Sequence, residues 1–126
     1  MNIALWIVQI LLAAAFGMAG FMKLSTPADQ LAAAMPWVGR VPSWAPYVAG
    51  AAEVLGALGL VLPAATRIRP VLTPLAALGL VMVMLLAVLW VHLPAGDPIG
   101  ANLALALVAG LVAYGRLKVA PIEPRN

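Results

Sequence analysis

Few residues in this sequence could do chemistry, and the most conspicuous is Glu53. It stands inside the apolar run Gly50-Ala-Ala-Glu-Val-Leu-Gly56. Residues three apart share a helix face, so Gly50, Glu53, Gly56 and Gly59 read as a small-residue stripe carrying one acid. An ionisable group placed that deep in a membrane segment is costly by a few kcal/mol and marks a functional site by default. Lys23, His92 and Asn102 are the other polar groups with reactive or hydrogen-bonding potential near apolar runs. Lys23 could pair with Glu53 directly or through water, or could snorkel outward to the headgroups; the sequence leaves both open. His92 is the sole histidine, so it cannot build a metal site alone, and Glu53 and Asp97 stand at no ligand spacing to it. Its imidazole is suited either to an interfacial helix end or to proton exchange with a ligand.

The elements that must position these groups follow from composition. The chain has 126 residues, 65% hydrophobic and 9% charged, against roughly 45–50% and 25% in a soluble domain. That excess of apolar surface defines an integral membrane protein. The net charge is only +3, and its basic residues stand singly or in pairs at segment ends, which excludes a nucleic-acid face and suits topology signals. Absence of cysteine excludes disulfides, thiol redox chemistry and cysteine-ligated metals within this chain. Glycine-rich phosphate loops, nucleophile elbows, zinc signatures and dinucleotide fingerprints are missing too. No residue is therefore assigned a catalytic role.

Apolar runs long enough to cross a hydrocarbon core of about 30 Å predict spans at about 4–24, 45–62, 71–93 and 99–116. The first run lacks basic residues ahead of it and is too long for a cleaved signal, so it reads as a retained helix. Thr26-Pro27-Ala28-Asp29 reads as a helix start with Thr26 as cap, opening a short interfacial helix over Gln30–Met35. Pro36, Pro42 and Pro46 break any regular continuation of that helix, and Pro63 reads as the start of a turn. The expected fold is all-α: an antiparallel four-helix transmembrane bundle, residues 1–117, with an interfacial helix between the first two spans and a flexible tail over 118–126. Gly17, Gly20, Gly50, Gly56 and Gly59 are the expected close-packing positions.

Arg67, Arg69, Arg116, Lys118 and Arg125 fall at one end, and Lys23 and Arg40 at the other. The positive-inside rule then puts both termini in the cytoplasm, in a bacterial inner membrane. Lys23, His92, Asn102, Trp37, Trp44 and Tyr47 share the outer half with Glu53, as an aromatic belt or as a pocket with Glu53 as its floor. The inner half offers Gln9, Thr73 and Tyr114.

Phe16-Gly-Met-Ala-Gly-Phe-Met-Lys-Leu24 and Glu53-Val-Leu-Gly-Ala-Leu-Gly-Leu-Val-Leu-Pro63 resemble the DoxX-like family of small four-helix membrane proteins. Leu72-Thr-Pro-Leu-Ala-Ala-Leu-Gly-Leu80 and the Asn102 to Arg116 segment fit the same pattern, so the resemblance runs from about Leu5 to Arg116. The matching pattern positions are Gly20, Lys23, Glu53, Gly56 and Asn102. The family is named for a subunit of a thiosulfate:quinone oxidoreductase, and other members are linked to quinones or oxidative stress. The resemblance thus implies an accessory, quinone- or lipid-binding subunit beside a membrane oxidoreductase, with a quinone as the cofactor to test. Two alternatives stand beside it: a small proton-coupled transporter using Glu53, which would assemble as a homo-oligomer, and a structural assembly protein.

Overall fold

The computed structural model describes residues 1–125. Five helices succeed one another along the chain: α1 (Asn2–Ser25), α2 (Ala28–Ala34), α3 (Ala45–Thr66), α4 (Leu72–Ala95) and α5 (Gly100–Val119). All but α2 are long and apolar enough to cross a bilayer. Around the bundle the order is α1, α3, α4, α5, with α5 closing lightly on α1. Both described ends of the chain lie at one end, where Arg116 of α5 donates to Asn2 of α1; the opposite end, holding α2 and the α4–α5 turn, is the cap end.

Only about 28–33% of each span is buried within the protein. The remaining surface is apolar, with Ile7, Leu11, Leu55, Leu62, Met82 and Leu107 all exposed. Water would penalise such a surface, and lipid tails do not. The core is a thin seam in which Phe16, Leu60, Leu80 and Val112 are essentially sealed, filled out by Ala57, Ala77 and Ala109.

The four spans are those expected, with shifted ends. The largest shift is at α3, which continues through Pro63 to Thr66 instead of turning at Pro63. Proline cannot donate to the carbonyl four residues back, which here is Gly59. Thr73 Oγ1, from the neighbouring α4, donates to Gly59 O at 2.8 Å and fills that vacancy. The helix survives its proline because a sealed threonine replaces the lost donor. Arg67 then ends α3 in the left-handed region, φ 58°, while Thr66 Oγ1 donates to Leu62 O and accepts from the Ile68 N–H.

The interfacial helix forms as Ala28–Ala34, starting and ending earlier than expected, and Pro27, not Thr26, occupies its N-cap without a side-chain cap bond. Thr26 instead closes α1, its N–H donating to Met22 O. A 3₁₀ turn, Pro36–Arg40, comes after α2 and carries Trp37.

A wide π turn, Ala87–His92, interrupts α4 shortly before its last residues, Leu93–Ala95, and another, Gly115–Val119, ends α5. The segment expected as a tail from Lys118 therefore begins inside α5. Residues 120–125 then run back across the terminal end, where Arg125 N–H donates to Arg67 O and Arg67 Nε donates to Glu123 O. Asn126 lies outside the described residues.

Candidate functional site

The cap-end site is built where α1 and α3 approach closest. A Cβ on Gly20 would lie 2.6 Å from Gly50 O, and one on Gly50 would lie 2.9 Å from Gly20 O and from Lys23 Cβ. Only paired glycines permit this backbone contact. One helical turn from each glycine, Lys23 and Glu53 are then brought face to face. Lys23 Nζ donates to Glu53 Oε1 at 2.5 Å, with Lys23 8% and Glu53 2% exposed. Of the two fates open to Lys23, the structure adopts the direct pair.

The expected stripe of Gly50, Glu53, Gly56 and Gly59 does not face one neighbour. Each step of three residues falls about 60° short of a full turn, so nine residues swing the stripe about 180° around α3. Gly50 and Glu53 consequently meet α1, whereas Gly56 admits Leu80 and Gly59 admits Ala76 from α4. Gly17 contributes less, since its added Cβ would make an ordinary 3.7 Å contact with Ala57.

Trp37 covers the ion pair. Lys23 Nζ lies 5.8 Å from the centroid of its ring, within cation–π range. The same indole meets His92 edge-on, with centroids 6.1 Å apart and an interplanar angle of 80°. His92 Nδ1 is 3.0 Å from Asp97 Oδ2, which also accepts from Arg40 Nη2. One carboxylate thereby joins the α4–α5 turn to the 3₁₀ segment.

The His92–Asp97 contact comes from the end of α4. Gly96, at φ 74°, donates its N–H to Leu93 O, and Asp97 N–H donates to His92 O. This is a Schellman ending. It folds Asp97 back onto His92, a meeting that their separation in sequence did not suggest. The hydrogen bond to His92 holds the Asp97 carboxyl below its usual value of 3.8; partial burial opposes the shift, and Arg40 adds to it through its hydrogen bond and charge.

Of the expected pocket residues, Glu53, Lys23, Trp37 and His92 are brought together. Asn102 bonds elsewhere, its Nδ2 lying 3.7 Å from Met84 Sδ. Trp44 is 63% exposed, and Tyr47 lines a separate cavity of about 310 Å³ with Leu31, Val38 and Pro46. In the sequence Arg40 is only an end charge and Asp97 only a carboxylate at no ligand spacing to His92, yet they complete the site.

A second polar cluster lies at the terminal end. Arg116, expected as a topology signal, is 3% exposed. Its Nε donates to Gln9 Oε1 at 2.5 Å, and its Nη1 donates to Asn2 Oδ1 and to Ala120 O. Gln9 Nε2 in turn donates to Leu60 O at 2.7 Å, and Trp6 stacks 5.5 Å from the guanidinium. Gln9 was the available clue, because an amide sealed in an apolar run needs partners for both its ends.

Bundle and clusters together define a small polytopic helical membrane protein with polar groups gathered at its two ends. The chain belongs to the DoxX-like family, whose sequence model matches residues 7–119. Comparison with curated proteins and with solved structures gives no match.

Proposed function

We propose that this protein is an accessory subunit of a membrane redox system, not catalytic by itself, whose cap end holds the polar head of a quinone or similar lipid-like amphiphile. The observation carrying this reading is the buried Lys23–Glu53 pair directly beneath an indole that also contacts a histidine. A quinone head is a flat ring with carbonyl acceptors. Trp37 offers a face for the ring, Lys23 a charge-assisted donor for a carbonyl, and His92 a group that can exchange protons. Such a head would enter between Trp37 and Lys23, with Glu53 keeping the ammonium in place. The positive-inside rule supports a cap end facing away from the cytoplasm in a bacterial inner membrane, with an oxidoreductase as the partner.

The test uses the full chain in nanodiscs and decylubiquinone as probe, with decanol as a chain-only control. A saturable rise in Tm with decylubiquinone, missing with decanol and lost in Trp37→Ala, is expected. Equal responses to the two amphiphiles, or a response unchanged in Trp37→Ala, would refute it. A second reading, a purely structural tie between α1 and α3, is favoured by the Gly20–Gly50 approach. It predicts loss of stability on mutation with no quinone-dependent change.

A further inference from the structure

At the terminal end, opposite the proposed quinone site, a cavity of about 360 Å³ lies between the start of α4, the end of α5 and the returning chain. That size is within the range of about 300–1,000 Å³ typical of small-ligand sites. Its walls are largely apolar, including Val71, Leu72, Leu117 and Ile122, and two arginines, Arg69 and Arg116, are among its lining residues. Among the described residues neither is paired with a carboxylate. Arg116 is the more telling of the two. It is buried, and its partners Gln9, Asn2 and Ala120 O are all neutral acceptors. They satisfy its N–H groups but leave its charge uncompensated in a setting where a buried charge ordinarily has a counter-ion. The surroundings reinforce this imbalance: Arg67, Arg69, Arg116, Lys118 and Arg125 gather at this end, with Glu123 the one carboxylate near them among the described residues.

We propose that this cavity seats the headgroup of an anionic phospholipid, with its phosphate held by Arg69 and balancing the buried charge of Arg116, and an acyl chain leaving along Leu72 and Leu117. The Arg69 guanidinium suits the role because its planar fork matches phosphate oxygens. The apolar walls and the position at the ends of two spans favour a lipid over a free anion. Arg69 comes from an exposed turn, and its side chain makes no hydrogen bond or ion pair among the described residues, so it can be altered without breaking the Gln9–Arg116–Asn2 network.

Native mass spectrometry of the full chain, released from micelles holding equal amounts of dioleoylphosphatidylglycerol and dioleoylphosphatidylcholine, tests the proposal. Phosphatidylglycerol should be retained preferentially. Arg69→Gln should cut that preference about tenfold, the loss of one hydrogen bond to a charged group, while Arg69→Lys keeps part of it. Lys118→Gln, exposed and outside the cavity, should leave it unchanged. Equal retention of the two lipids, or equal losses in Arg69→Gln and Lys118→Gln, would overturn the proposal. Displacement of phosphatidylglycerol by inorganic phosphate would overturn it as well, by assigning the site to a free anion.

Discussion

Replacing Glu53 with leucine leaves Lys23 buried and without its counter-ion, and the structure sets the scale of the loss. Breaking a buried pair by removing one partner costs about 3–5 kcal/mol. Lys23 stands two residues from the end of α1 at Ser25, so its ammonium can swing outward to the headgroups and recover part of this. We expect Glu53→Leu to destabilise by about 2–3 kcal/mol. The double variant Lys23→Met/Glu53→Leu removes both charges together and fills the space with apolar atoms, which is often neutral for buried pairs. It should therefore recover most of the loss, giving a coupling of about 2 kcal/mol between the two positions.

Unfolding by SDS titration from mixed micelles, monitored by far-UV circular dichroism, measures all four corners of the cycle. Glu53→Gln should fall between wild type and Glu53→Leu, since an amide oxygen still accepts from Lys23 Nζ. A coupling below about 0.5 kcal/mol, the scatter expected of independent sites, would show that the pair does not hold α1 to α3. A Glu53→Leu protein as stable as wild type would refute the reasoning more directly.

The same geometry makes two further outcomes testable. Gly20→Ala puts a methyl 2.6 Å from Gly50 O and should cost about 1–3 kcal/mol as overpacking in the SDS titration, whereas Gly39→Ala, with nothing within 4 Å of its added Cβ, should be silent. Because the Asp97 carboxyl is held below its usual 3.8, its contribution is fully present above that value and is lost as pH falls through the lower folded one; thermal melts between pH 6 and pH 3 should show an acid-side loss that is smaller in Asp97→Asn, and identical pH profiles would refute the His92–Asp97–Arg40 link.

The spans were legible because a bilayer imposes one length on any helix that crosses it, and apolar runs of that length report it directly. Pro63 misled for a definite reason. Its lost hydrogen bond is local, but the donor that replaces it, Thr73, belongs to the next helix. Glu53 stood out as a lone acid, and its pairing with Lys23 was one of two readings left open. The hidden parts of the site are those that depend on irregular backbone. Trp37 could not be told apart from Trp44 because a 3₁₀ turn between prolines has no apolar period to orient its side chains. Asp97 was hidden by the Schellman ending that folds it onto His92. Arg116 looked like any end charge because its burial depends on a π turn in α5 and on Gln9 and Asn2, more than a hundred residues away.

The separation of the two clusters bears on how Glu53 can act. Along α1, Leu12 and Phe16 stand between Gln9 and Lys23; along α3, Ala57 stands between Glu53 and the Leu60 carbonyl that Gln9 engages. Leu80 of α4 enters beside Gly56 at the same level, and these side chains are sealed together in the core. A proton leaving Glu53 toward the terminal end would have to pass this apolar layer, where water is unfavourable without polar partners to hold it. On the cap-end side the pair meets polar and aromatic groups instead, with Trp37 over Lys23 on a short 3₁₀ turn and His92 beside it. Within one chain, then, the arrangement favours a site loaded and emptied from a single side, as a bound amphiphile requires. A transport path would have to be assembled between copies, along the lipid-facing surfaces.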